Sequence, residues 1–83
     1  MWNDRLRIAE SVESDWKALN AGERDLAKTA LQRIDDDPIA GAPLFEPLKG
    51  LWSYRTGELR IVYRVVAEGR FVAILSISRT LSS

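Results

Sequence analysis

The chain has 83 residues, a formal net charge of zero and neither cysteine nor histidine. This length provides a single domain, residues 1–83, and the missing residue types exclude disulfides, thiolate catalysis and imidazole acid–base chemistry. No apolar run approaches the roughly 18 residues of a membrane span, and residues 1–5 do not lead into a signal peptide. We therefore expect a cytoplasmic protein that uses no cofactor or metal and has no membrane partner.

The first part of the chain predicts a strand followed by a helix. Residues 5–9 alternate polar and apolar side chains, as a short strand does. Ser11 is the predicted N-cap of a helix that continues to about Leu19. Val12, Trp16 and Leu19 share the spacing of one helix face, which we expect to lie in the core.

A second helix is predicted directly after the first. Asn20 and Glu23 have the spacing of a capping box, and the helix continues to about Asp36. So short a connection folds the two helices back on each other. Residues 38–47 contain all three prolines and are predicted to form a loop.

The second half predicts a hairpin and a final strand. Two apolar-rich runs, residues 51–54 and 59–66, flank a turn at residues 56–58, where Gly57 suits a tight loop. Residues 67–69 form a second turn, and residues 70–77 read as the last strand. Because residues 72–75 are apolar on both faces, that strand is expected inside the sheet.

These elements predict an α+β fold in the order β-α-α-β-β-β. Two N-terminal helices pack on one face of a small twisted antiparallel sheet, whose other face stays partly open. The residues expected to dominate the core are Trp16, Leu19, Leu26, Leu31, Ile34, Ile61, Tyr63 and Leu75.

The net charge of zero conceals an uneven distribution. Residues 1–47 hold six Lys or Arg against ten Asp or Glu, whereas residues 48–83 hold six against two. The basic sheet half is suited to a phosphate-bearing or acidic partner. The alternative explanation is that strands simply disfavour Asp and Glu.

Residues 48–65 carry a recognisable pattern, L-x-G-L-x-x-x-R-x-G-x-x-R-(I/V)-x-Y-x-(I/V). It is matched by Leu48, Gly50, Leu51, Arg55, Gly57, Arg60, Ile61, Tyr63 and Val65. In this pattern, and in the order of its elements, the chain resembles the RelE/ParE superfamily of toxins from bacterial type II toxin–antitoxin systems. The resemblance implies a RelE-like fold over nearly the whole chain.

Resemblance to the RelE branch implies an mRNA interferase, an endoribonuclease that cuts ribosome-bound mRNA and so arrests translation and growth. There the 2′-hydroxyl attacks the adjacent phosphate, and arginines suit the dianionic phosphorane because their planar fork binds two oxygens. By position the resemblance implies catalytic roles for Arg55, Arg60 and Arg79, and RNA contacts for Lys49, Arg64 and Tyr54. The alternative for each arginine is a solvated or antitoxin-paired surface charge.

The chain departs from the RelE pattern in two places. Residues 79–83 lack the C-terminal tyrosine, and Ser53 stands where a second basic residue is expected. A general acid or base would have to be Tyr54, Tyr63, Lys49 or a carboxylate. We expect Tyr63 to lie in the core and Tyr54 to be a packed cross-strand aromatic. Losing a positioned proton donor typically costs a factor of about 10²–10⁴ in rate.

Three functions remain open at this point. The first is RelE-like cleavage of mRNA on the ribosome. The second is ParE-like inhibition of DNA gyrase, which needs binding but no hydrolytic residue. The third is a catalytically degenerate module that only binds an antitoxin. A cognate antitoxin is the expected partner in all three, with the ribosome and mRNA, or gyrase, as the target.

Overall fold

The structure, a computed structural model, describes residues 6–44 and 50–80. In these ranges no helix is both long and apolar enough to cross a membrane. Its elements are β1 (Leu6–Ile8), α1 (Glu10–Lys17), α2 (Ala21–Asp36), β2 (Ala42–Pro43), β3 (Leu51–Thr56), β4 (Leu59–Val66), a 3₁₀ turn (Ala67–Gly69) and β5 (Phe71–Arg79).

The strands form one sheet in the order β1-β5-β4-β3-β2. The α+β class, with the helices on one side of the sheet, is confirmed. Strands β2 to β5 are antiparallel to their neighbours, but β1 runs parallel to β5, so the sheet is mixed. Three reversals of direction separate β2 from β5, so β1, which is parallel to β5, is antiparallel to β2. The short strand β2 lies within the segment expected to be a loop.

The core lies between the two helices and one face of the sheet. The burial of Tyr63, Ile61 and Ile34, each 0% exposed, confirms their predicted place in it. The remaining buried apolar residues are Leu6, Val12, Leu19, Ala27, Ala30, Leu31, Leu59, Val72, Ile74 and Ile77. Helix α2 begins with the predicted capping box, in which Asn20 and Glu23 each accept a hydrogen bond from the other's backbone N–H.

A β-bulge in β5 makes one core prediction wrong. Val62 pairs with Ser76 and Tyr63 pairs with Ile74, so Leu75 has no partner on β4. The strand therefore presents Ile74 and then Ile77 to the helices, and Leu75 is only half-buried. Because this segment is apolar on both faces, its alternation gave no sign of the extra residue.

Three further expectations about the helices are corrected. Leu26 is 40% exposed, because its side chain lies over Gly57 in the β3–β4 turn rather than in the buried stripe of α2. Trp16 is half-buried. Ser11 is not the N-cap of α1, since Ala9 holds that position without a side-chain bond.

Ser11 instead helps α1 to cover the edge of β5. Its hydroxyl donates to the carbonyl oxygen of Leu75 at 3.3 Å, and Asp15 accepts from the backbone N–H of Ile77 at 3.0 Å. Strand β1 reaches only as far as Ile74. The two side chains of α1, one turn apart, therefore satisfy backbone groups that β1 leaves unpaired.

Candidate functional site

The candidate site is the sheet surface that faces away from the helices. Along β4 the residues Leu59, Ile61 and Tyr63 are buried, so Arg60 and Arg64 project from the opposite side and are exposed. Directly paired residues on neighbouring strands share a face. We call this surface the open face, and its described residues are Arg7, Ala42, Leu51, Ser53, Arg55, Arg60, Val62, Arg64, Val66, Phe71, Ala73, Ser76 and Ser78.

Two predicted site residues lie side by side on the open face. Arg55 of β3 is the direct partner of Arg60 of β4, and Ser78 of β5 lies on the other side of Arg60. Direct cross-strand partners have Cβ atoms about 4.5–5.5 Å apart, and like charges in that relation repel. Neither guanidinium has an ion pair or hydrogen bond among the residues that the structure describes. Such a pair is suited to one bound anion.

A second basic row crosses the open face four residues further along β4. Arg64 and Arg7 both pair with Ala73, one from each side. Arg7 lies with its Cζ atom 4.6 Å from the centroid of the Phe71 ring. None of the described open-face positions is an Asp or Glu, so the potential of this surface is positive.

Arg79 lies on the other side of the sheet. It pairs with buried Leu59, and its guanidinium binds Glu23 through two contacts of 2.7 Å and the carbonyl oxygen of Ala18 at 2.9 Å. The hydrogen bonds with Arg79 lower the pKa of Glu23, and in return raise the pKa of Arg79. The sheet thus separates Arg79 from Arg60, and a phosphate-binding role for Arg79 stays a prediction.

Replacing Arg79 with glutamine is expected to lower the free energy of unfolding at neutral pH. Because the folded-state pKa of Glu23 lies below its ordinary value of 4.5, the stabilisation is present above that pH and is lost as the pH falls through the lowered pKa. Urea unfolding from pH 7 to pH 2.5 should show the two proteins converging at the acidic end. Arg33→Gln, the same change on an exposed helix position, is the control. Equal stability of Arg79→Gln and wild type at pH 7 contradicts the prediction.

The remaining predicted residues lie away from the open face or outside the described ranges. Tyr54 pairs with buried Ile61 on the helix side, and it also lines a shallow cleft beside β3 together with residues 40–42, Ser53 and Arg55. Tyr63 is fully buried, and burial raises the pKa of its phenol. Its expected place in the core is confirmed. Lys49 falls in residues 45–49, outside the part of the chain that the structure describes.

The comparisons with known proteins agree with this architecture. The model of the family described as the ParE toxin of the type II toxin–antitoxin system parDE matches residues 3–81. The chain belongs to this family. It is therefore a type II toxin of the RelE/ParE superfamily. No curated protein sequence matched the chain.

Solved structures show the same fold in related toxins. A chain of the RelBE2 toxin–antitoxin complex from Mycobacterium tuberculosis is 25% identical, with 89% of this chain and 94% of that chain covered and a TM-score of 0.81. The isolated RelE toxin of E. coli is 22% identical, with coverages of 94% and 85% and a TM-score of 0.78. A chain of the archaeal RelE–RelB complex from Pyrococcus horikoshii is 16% identical, with coverages of 95% and 97% and a TM-score of 0.70.

In this toxin the sequence-predicted residues thus divide into two groups. Arg55, Arg60 and Arg64 share the open face, whereas Arg79 and Tyr54 lie on the helix side. One signal for Arg79 was already present, because Ile77 is two residues earlier and so shares its face. The sequence did not indicate that Arg7 and Phe71 lie on the open face near Arg64, because only the β1–β5 pairing brings the N-terminal strand beside the basic rows.

Proposed function

We propose that this toxin holds ribosome-bound mRNA against the open face and promotes its cleavage, with Arg55 and Arg60 at the reacting phosphate. The observation that carries the proposal is this pair of exposed, directly opposed guanidinium groups, which have no counter-charge among the described residues. Further support comes from the likeness to a chain of the RelBE2 complex at 25% identity.

The proposed reaction needs stabilisation of negative charge above all. The 2′-hydroxyl oxygen forms a bond to phosphorus, the bond from phosphorus to the 5′-oxygen breaks, and that oxygen leaves with the electron pair and takes up a proton. Charge accumulates on the non-bridging oxygens in between. Two planar guanidinium forks can donate to these oxygens while staying charged.

The other described polar side chains of the open face are the hydroxyls of Ser53, Ser76 and Ser78. None of them is an efficient proton acceptor at neutral pH. In this proposal the toxin contributes positioning and charge stabilisation, and protons pass to and from water or groups of the ribosome.

A second candidate is ParE-like inhibition of DNA gyrase, which requires binding alone. Two observations favour this function. The described open face carries no tyrosine or carboxylate, and the family whose model matches the chain is described as the ParE toxin. A basic surface without a proton-transfer group is sufficient for holding a macromolecular target.

We also propose a cognate antitoxin as the partner of this toxin. Support comes from the likeness to a chain of the M. tuberculosis RelBE2 structure, which is a toxin–antitoxin complex. An acidic antitoxin segment would neutralise the arginines of the open face. Co-expression with the neighbouring open reading frame, followed by gel filtration, should give a complex that elutes as one species. Separate elution of the two proteins rejects this pairing.

The target is tested by inducing the toxin in cells that lack the antitoxin. Amino-acid incorporation, integrity of ribosome-bound mRNA and plasmid supercoiling are read separately. Our proposal expects translation to stop and message to be cut while supercoiling is unchanged. Intact message with lost supercoiling selects gyrase inhibition instead. Normal growth together with tight antitoxin binding identifies a catalytically degenerate module.

A further inference from the structure

We infer that the open face has a second nucleotide-binding site, made of Arg64, Arg7, Phe71 and Ala73, which binds a flanking phosphate and base of a single-stranded nucleic acid. We call it the distal site. It deepens the proposed function, on which it rests for the class of ligand, because it predicts that the open face holds several nucleotides and not only the phosphate at Arg60.

Arg64, Ala73 and Arg7 form a row across three strands. Ala73 is the direct partner of both arginines. Neighbouring strands lie about 4.7–4.9 Å apart, so the two arginine backbones are about 10 Å apart with only a methyl group between them. Two long, exposed cationic side chains therefore flank a short one. The row has the shape and charge of a seat for an anion.

The aromatic ring of Phe71 lies beneath the guanidinium group of Arg7. The Cζ atom of Arg7 lies over the ring of Phe71 at 4.6 Å, and its Nη1 atom donates to the carbonyl oxygen of Leu6 at 3.4 Å. The ring favours this position through its negative face. Guanidinium groups and aromatic rings are the surfaces on which unpaired bases stack. The distal site thus provides for a base as well as a phosphate.

The two basic rows of the open face are far apart along the strands. Arg60 and Arg64 are four residues apart on β4, which is about 13 Å along a strand. With their side chains extended from the sheet, the two arginines contact different phosphates. The row between them, Ser53, Val62 and Ser76, is uncharged. A ligand that uses both rows must carry repeated negative charges on a flexible backbone, which a single-stranded nucleic acid does and a free nucleotide does not.

The test uses the full-length toxin and RNA oligonucleotides with a 2′-O-methyl group at every position, which stay RNA but have no 2′-hydroxyl to attack the phosphate. NMR titration compares a hexanucleotide with a dinucleotide that has a single phosphate. Arg64→Gln and Arg7→Gln should each weaken hexanucleotide binding by about two- to fivefold and reduce its salt slope by about 0.7. Dinucleotide binding should stay unchanged in both variants. Arg60→Gln should weaken both ligands.

Phe71→Leu separates the base contact from the phosphate contact. This change should weaken binding of the hexanucleotide by about fivefold or more. It should not change the affinity for a hexanucleotide that lacks bases at its central positions. Arg33→Gln on α2 removes the same charge from the helix side and should change neither affinity. Thermal melting monitored by circular dichroism confirms that each variant is folded.

Three results would overturn the distal site. Arg64→Gln and Arg7→Gln could leave the hexanucleotide affinity and its salt slope unchanged. They could weaken hexanucleotide binding no more than Arg33→Gln does. In a parallel titration with an acidic peptide, they could weaken binding of the peptide but not of RNA. The two proposals fail separately: intact message on induction, with hexanucleotide binding that still depends on Arg64, rejects mRNA cleavage and retains the distal site.

Discussion

Replacing Arg60 with glutamine is expected to reduce the rate of mRNA cleavage by about 10²–10³-fold, the usual effect of removing one preorganised donor to a developing oxyanion. The expectation follows from the position of Arg60 between Arg55 and Ser78 on the open face. The variant should also no longer arrest growth on induction. Primer extension on ribosome-bound message, with matched protein levels, measures the cleavage rate.

Two matched variants determine what the loss means. Arg60→Lys keeps the charge but not the planar fork, so its rate should fall between those of wild type and Arg60→Gln. Arg33→Gln removes one positive charge from α2 and should cleave like wild type. If Arg60→Gln and Arg33→Gln cut message at the same rate as wild type, Arg60 is a surface charge. If Arg60→Gln instead restores supercoiling in cells that express it, gyrase is the target.

The parts of the fold that the sequence predicts well are those with local causes. The capping box of Asn20 and Glu23 starts α2 where its spacing indicates. Gly57 has φ of +57° in the β3–β4 turn, a conformation that glycine adopts at little cost. Strict alternation along β4 places Arg60 outward and Tyr63 inward. In each case the residues that decide the structure are within a few positions of one another.

The parts that the sequence does not reveal depend on contacts between distant segments. Nothing in residues 71–79 marks Leu75 as the bulged position, because apolar side chains on both faces suit either register. The seat formed by Arg7, Ala73 and Arg64 exists only because β1 lies beside β5. That pairing joins positions more than sixty residues apart, so no local periodicity reports it.

Arg79 illustrates how a family likeness and a local structure can indicate different roles. The resemblance implies contact with phosphate, whereas its contacts with Ala18 and Glu23 join the end of β5 to the end of α1 and the start of α2. The carboxylate of Glu23 binds Arg79 and also caps α2, since it accepts a hydrogen bond from the backbone N–H of Asn20. To offer its planar fork to RNA, this arginine has to exchange the Glu23 carboxylate for a phosphate.

Tyr63→Ala is expected to have the largest effect on stability, a loss of about 3–5 kcal/mol in the free energy of unfolding, by analogy with other large aromatic truncations. The side chain is 0% exposed, and its ring stacks on Trp52 with centroids 6.4 Å apart. The whole free energy of unfolding of such a domain is only about 5–15 kcal/mol. Urea unfolding followed by tryptophan fluorescence measures the loss.

Tyr63→Phe isolates the contribution of the hydroxyl group. That group donates to the carbonyl oxygen of Pro38 at 2.9 Å and accepts from the backbone N–H of Gly41 at 3.1 Å. Removing it leaves two backbone groups without their partner, which costs about 1–3 kcal/mol. Residue 41 is a glycine for two reasons of space, because a Cβ atom there would lie 2.5 Å from the backbone oxygen of Ser53 and 2.6 Å from the Tyr63 hydroxyl oxygen.

The two variants together separate packing from loop attachment. Tyr63→Phe should speed amide exchange at Gly41 far more than at Ile61, whereas Tyr63→Ala should speed both. Since Tyr63 projects toward the helices and its neighbours Val62 and Arg64 toward the open face, RNA binding by Tyr63→Phe should match wild type. If Tyr63→Phe is as stable as wild type, the hydroxyl is not what holds residues 38–41 against the sheet. Their attachment must then come from the pairing of β2 with β3 alone.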